Sequence, residues 1–290
     1  MLRYHIIMDF CDDYSRLVRY WMQKQGLQSN KDGWDLWYEY FNFQKKNIIP
    51  RKRKVWKSKE FFCPQEFEKG LEMLIQKFER GENVSGHLSK MAKDPSKFDD
   101  LLYDWGIYHF HLGERSNPKT GYIERTGPLL FARVDEENVY LINIFKHGEW
   151  TKQDMLRIIH QNWPQIVEQY KLPEVWSTTQ FTDEEYAAVR RSHATALVEV
   201  EKNAVYGLLG GGYMSSGHSA EIASHCDSIY NWFKELESAI KKELHRIIKY
   251  IEVCTGITPD YNLHFMLWSI KNEIHIVELH SHVDLVRLQF

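Results

Sequence analysis

Three stretches decide the fold: IYHFHL at 107–112, PLLFARV at 128–134 and VYLINIFKH at 139–147. Each is short and rich in β-branched and aromatic residues, and each reads with a period of two, where the segments before it read with 3.6. The first connection, GERSNPKTGYIERTG, is dense in turn formers. The second, DEEN, has the length of a four-residue hairpin loop. Strands joined this way are expected to pair antiparallel.

Upstream of these strands, residues 2–8 read as a short strand. Residues 12–25 read as a helix with Leu17, Tyr20 and Trp21 on one face, and aromatics crowd Trp34 to Phe43. Residues 64–80 carry Phe67, Leu71, Leu74, Ile75 and Phe78 at helical spacing, with Pro64 suited to the first turn and Gly81 just past the end. Short helical turns are expected over 83–102. Downstream, Thr151 with Asp154, and Thr182 with Glu185, have the spacing of helix-capping pairs. Residues 195–210 read as a hairpin turning near Lys202–Asn203. A long helix follows near 220–253, and a last hairpin pairs 262–270 with 273–283 about Lys271–Asn272. The class is α+β: an antiparallel sheet with flanking helices. Residues 1–102 are expected to form a helical region with a basic arm. Residues 103–290 are expected to form the α+β core, with a sub-boundary near 172–182 after Pro173.

Composition narrows the function classes. With 290 residues, 43% of them hydrophobic and 14% aromatic, the chain can bury a full core. A net charge of −3 makes the whole molecule no polyanion binder, so any such role needs a local patch. Cys11, Cys63, Cys226 and Cys254 form no CxxC pair, which fits free thiols in a reducing compartment better than a disulfide or zinc framework. The opening MLRYHIIMDFCDD is broken by His5 and Asp9 and does not read as a signal peptide. No run approaches the ~18 apolar residues of a membrane span. A cytoplasmic protein with no membrane partner is expected.

The chemistry concentrates in the strand block. Alternation puts His109 and His111 on one face with Ile107, opposite Tyr108, Phe110 and Leu112. Imidazole takes and gives protons near neutral pH, so a pair of them beside an apolar face is a candidate acid–base site; hydrogen-bonded structural histidines are the plain alternative. Lys146 and His147 end the third strand, and Arg115, Lys119, Arg125 and Arg133 lie in the same block. Guanidinium and ammonium groups aimed at a reacting phosphate stabilise the charge that builds on its oxygens. Eight Lys or Arg and no acid fill 45–59, where Lys45, Lys46, Arg51, Lys52, Arg53, Lys54, Trp56 and Lys57 suit an RNA strand by charge and stacking.

The block WGIYHFHLGE…RTGPLLFARVDEENVYLINIFKHGEW resembles the RelE/HigB-type toxin superfamily of small ribonucleases. The resemblance covers about 45 residues and rests on pattern. It implies a sheet that holds RNA and an active site of Arg, Lys and His that uses no metal and no cofactor. Arg125 or Arg133 would bind phosphate, with Lys146 and His147 at the site. It also implies RNA as the partner, with an antitoxin protein or the ribosome beside it, in growth control or phage defence.

Two further segments carry weaker signals. In GGGYMSSGHS, the residues Gly210, Gly211, Gly212, Ser215, Ser216, His218 and Ser219 precede a helix start and form a candidate anion cradle, with a flexible connection as the alternative. Glu278, His280 and His282 alternate on the last strand. With His109 and His111 they make two HxH pairs, which gives a rival reading as a metal-dependent phosphohydrolase. A third reading is a non-enzymatic RNA- or protein-binding subunit.

Overall fold

The structure is a computed structural model that describes residues 4–175, 180–202, 204–271 and 273–288. Part of the expected sub-boundary near 172–182, and Asn203 and Asn272 of two expected turns, lie outside the described residues. In chain order the elements begin with β1 (His5–Ile7), α1 (Phe10–Lys24), α2 (Gly33–Lys46), β2 (Lys54–Lys57) and α3 (Glu68–Arg80). There follow α4 (Asp100–Trp105), β3 (Ile107–Phe110), β4 (Pro128–Val134), β5 (Asn138–Lys146), α5 (Asp154–Asn162) and α6 (Asp183–Arg191). The chain closes with β6 (Val198–Glu201), β7 (Ala204–Tyr206), α7 (Ala220–Lys242), α8 (Leu244–Thr255), β8 (Asn262–Ile270), β9 (Glu273–Glu278) and β10 (Val283–Leu288).

The class is α+β, but the sheets are mixed rather than purely antiparallel. β2 runs parallel to β5, and β1 runs parallel to β8. The antiparallel pairs join strands that follow one another in the chain, whereas each parallel pair joins strands far apart in sequence, a connection that a period-two pattern cannot reveal. The chain divides into two compact units, one of 1–40 with 223–290 and one of 41–222. The second unit therefore takes residues from both sides of the expected 102/103 division, because β2 and α3 pack with the strands of 107–146.

In the 41–222 unit the strand order is β2-β5-β4-β3. Both faces of this sheet are covered. Ile107, Leu129, Phe131 and Ile142 pack with Met155, Leu156 and Ile159 of α5 and with Tyr186 of α6. On the other face Phe110, Leu130, Ala132, Val139 and Leu141 meet Leu71, Leu74 and Phe78 of α3. Two-sided burial explains why LLFA and VYLI are nearly continuous apolar runs. Gly81, at φ 76°, ends α3 in the left-handed conformation expected of that glycine.

In the other unit the order is β1-β8-β9-β10. Phe10, Tyr14, Trp37 and Phe233 form an aromatic cluster beside it. The buried Asp13 accepts the Leu267 N–H at 2.9 Å.

Two local expectations need correction and a third is refined. The long helix is interrupted at Glu243 (φ −95°, ψ 13°) and continues as α8 up to Gly256. Thr151 does not cap α5; the cap is Gln153, and the Thr151 hydroxyl donates to the Asp183 carbonyl at 3.0 Å. The basic arm is partly regular, since α2 runs through Lys46 and β2 adds an edge strand to the sheet. The Thr182–Glu185 capping box forms as expected.

Candidate functional site

The site grows from the open edge of the β2-β5-β4-β3 sheet. β3 is an edge strand, and its pairing puts His109 opposite Phe131. The His109 face is the one that carries Ile107, Leu129 and Phe131 into the core. β5 ends at Lys146, and the next residue, His147, donates its backbone N–H to the Gly127 carbonyl at 3.1 Å. Where β3 and β5 run out, the apolar cover stops and a cavity of about 540 Å³ opens. His109, His111, His147, Trp150, Arg190 and Arg191 line it. The Trp150 ring lies between two of the imidazoles, 4.8 Å from His109 and 5.0 Å from His147 by ring centroids. The volume suits a group the size of a nucleotide.

The two inner imidazoles are neutral. Burial pushes His111 from 6.5 down to about 4, and Arg125 and His109 act in the same direction. Its Nδ1 accepts the Thr126 N–H at 3.1 Å, so the ring proton sits on Nε2 and is free to be donated into the cavity. Burial likewise holds His109 below the ordinary value, against the attraction of Asp99. The His109 Nδ1 is sealed without a partner. An orphaned lone pair is cheaper than an orphaned N–H, which places the His109 proton on Nε2 as well. His147 is exposed at the mouth.

Four residues that the sequence did not single out hold this arrangement. The buried His87 donates from Nδ1 to the His111 carbonyl at 2.9 Å, and the His111 N–H returns the bond to the His87 carbonyl at 2.8 Å. Burial pushes His87 down to about 4. Arg190, on α6, meets Asp104 through Nε at 3.0 Å and Nη2 at 2.8 Å, lies 4.4 Å over the Trp105 ring and donates to the Trp150 carbonyl. Asp104 also accepts the Tyr186 hydroxyl at 3.0 Å. The only sequence signal for Arg190 was the capping box that starts its helix. His87 sits in a short turn with no pattern to mark it.

The other sequence-derived candidates are placed as follows. Arg133 is turned inward, donating to the carbonyls of Trp105 at 3.0 Å and Leu209 at 3.3 Å, and it does not line the cavity. Lys146 is exposed and also lies outside it. Arg125 donates to the Leu88 carbonyl at 2.7 Å and lines a different, smaller cavity. In the basic arm, Lys45 is held by Gly210 and Glu221, and Lys46 by the carbonyls of Met91, Asp94 and Lys97. Arg51 pairs with Glu136, and Arg53 is buried against Asp135, Ile49 and Arg51 carbonyls. Lys52, Lys54, Trp56 and Lys57 remain exposed, with the Lys54 ammonium 4.1 Å over the Trp56 ring.

The glycine segment packs rather than cradles. The N–H groups of Gly210, Gly211 and Gly212 go to the carbonyls of Asp104, Leu208 and Tyr103. A Cβ on Gly210 would lie 2.2 Å from the Leu102 oxygen, so that glycine is there for close approach. Ser215 is exposed, Ser216 and His218 bond to each other at 2.8 Å, and the Ser219 hydroxyl accepts the Ile222 N–H at 3.5 Å.

His280 and His282 lie past the end of β9, in the turn before β10, so strand alternation does not align them. They belong to the 223–290 portion of one unit, whereas His109 and His111 belong to the other. The buried Glu278 accepts from Ser281 (N–H 2.7 Å, hydroxyl 2.6 Å), the His264 N–H at 3.1 Å and His280 Nδ1 at 3.3 Å. Burial raises its pKa, but these donors outweigh that and hold it below the usual carboxylate range. Among the described residues, no three His, Cys, Asp or Glu side chains are grouped as metal ligands would be.

No protein-family model, curated protein or solved structure matches the chain. The geometry of the site therefore carries the functional reading. Among the described residues no helix is long and apolar enough to cross a membrane. The four cysteines are free thiols; Cys226 is buried, and burial pushes its thiol up to about 12.

Proposed function

We propose that this chain is a metal-independent endoribonuclease and that the three-histidine cavity is where it cuts. The observation that carries the reading is the convergence of His109, His111 and His147, with Trp150 between two of them, on one cavity. RNA supplies its own nucleophile. As the 2′-oxygen bonds to phosphorus, its proton passes to His147; the bond from phosphorus to the 5′-oxygen breaks, and that oxygen leaves with a proton from solvent. The products are a 2′,3′-cyclic phosphate and a 5′-hydroxyl. The neutral Nε2–H groups of His109 and His111 donate to the non-bridging oxygens, where charge accumulates, and the exposed Arg191 adds a cation at the mouth. Trp150 offers a face for a base.

Arg133 and Lys146 have no part in this scheme, because neither lines the cavity. In keeping with the toxin resemblance, the chain would act in growth control or phage defence, with an antitoxin protein or the ribosome as partner. Purified protein is expected to cut RNA in excess EDTA, and His147→Ala to lower the rate by about 10²-fold or more. Intact RNA across single-stranded, structured and ribosome-bound substrates would overturn the proposal. Growth arrest on expression, relieved by His147→Ala, is the cellular counterpart.

A further inference from the structure

The displacement of Arg125 from the histidine cavity leads to a second site. A cavity of about 330 Å³ is lined by Lys90, Arg115 and Arg125, with Ser116, Thr120 and Tyr122 beside them. The Tyr122 ring carries the Arg125 guanidinium at 4.8 Å and the Lys93 ammonium at 4.6 Å. Four cations thus gather here, and among the described residues Glu124 is the one acid that lines the cavity. The nearby Glu114 is already paired with Lys69. The loop that carries the site is braced, with the Asn117 N–H on the Tyr122 carbonyl at 2.8 Å and the Gly121 N–H on the Asn117 carbonyl at 2.7 Å. Arg125 is anchored through Nη1 on Leu88, while its Nη2 is buried without a partner. Like charges held together this way repel, and an anion between them relieves that repulsion.

Among the described residues this cavity shares no lining residue with the histidine cavity, but the two are joined through neighbouring residues of the chain. Ser89 lines one and Lys90 the other. Arg125 precedes Thr126, whose N–H fixes the His111 ring. We propose that the Lys90–Arg115–Arg125 cavity is a phosphate subsite that holds a phosphodiester of single-stranded RNA other than the one being cut. The inference rests on the ribonuclease reading for its ligand, yet it is tested by binding rather than by cutting.

The test titrates the full chain with a single-stranded RNA oligonucleotide, with inorganic phosphate and with vesicles of anionic phospholipid, each over a range of salt. Lys90→Gln and Arg115→Gln are combined in one variant, since both side chains are exposed and Arg125 is left to hold Leu88. Expected is a roughly ten-fold loss of RNA affinity and a salt slope shallower by about 0.7, the counterion release of one phosphate on a single strand. Phosphate is expected to compete with RNA on the wild type only. Lys241→Gln, one exposed cation elsewhere, is expected to bind as wild type does. Equal losses in both variants, no RNA binding by the wild type, or vesicle binding that depends on the cavity while RNA binding does not, would each overturn the subsite. If the double variant loses RNA affinity but the wild type never cuts, the subsite stands and the nuclease reading fails. Cutting with unchanged affinity in the double variant gives the reverse.

Discussion

Acidifying the protein should loosen the strand end that carries His111, and a single substitution should remove about half of what His87 and His111 contribute together. His87 and His111 are both pushed by burial from 6.5 to about 4. In the unfolded chain each would titrate near its ordinary value. Between those values the unfolded state holds the extra proton, so stability is complete above about 6.5 and is lost as pH falls towards about 4. From about pH 7 to about pH 5, each imidazole forfeits roughly 2 kcal/mol, or about 4 kcal/mol for the pair. His109 is shifted in the same direction and adds to the loss. His87→Asn places an amide where Nδ1 stands, keeps the donor to the His111 carbonyl and removes the titration. Hydrogen exchange of backbone amides in 107–112 and 128–134, under native conditions at both pH values, reads opening of this unit by itself. The acid-induced loss is expected to shrink by about 2 kcal/mol in the variant. An unchanged pH slope would refute the claim that His87 is held neutral by its surroundings.

Other expectations follow from the same contacts. Asp104→Asn leaves the buried Arg190 charge uncompensated and should cost about 3–5 kcal/mol by chemical denaturation, with a change in Trp150 fluorescence as its carbonyl loses its anchor. Gly210→Ala drives a Cβ into the Leu102 carbonyl and should destabilise by about 1–3 kcal/mol. Arg133→Gln should lower stability by about 1–3 kcal/mol through the two carbonyls it leaves, while the cutting rate of the folded fraction stays at the wild-type level.

The three strands between 107 and 146, and the helix expected over 64–80 and found at 68–80, were legible because burial on a strand or helix face leaves a period in the sequence; β10 was not, and the last strand expected to reach 283 stops at Glu278. The shared face of His109 and His111 was legible for the same reason. What alternation could not tell was what lay beyond that face. Arg133 was expected to meet phosphate, yet its neighbours are two backbone carbonyls brought in from Trp105 and Leu209, residues 28 and 76 positions away. Arg125 and Lys146 lie near the histidines in sequence but do not line their cavity, because a loop turn and a strand end redirect them. His87 and Arg190 act through partners distant in sequence, and such pairings leave no local trace. The parallel pairing of β2 escaped notice for the same reason.

The placement of β2 has a consequence for how copies of this chain meet one another. It forms one margin of its sheet and is four residues long, with Lys54, Trp56 and Lys57 exposed. An unpaired strand margin invites another chain to add to it, and brevity and lysine are the means by which natural sheets discourage that. Whatever else these lysines bind, their mutual repulsion between molecules works against fibre-like growth along that border, so neutralising them would carry a solubility penalty in concentrated solution.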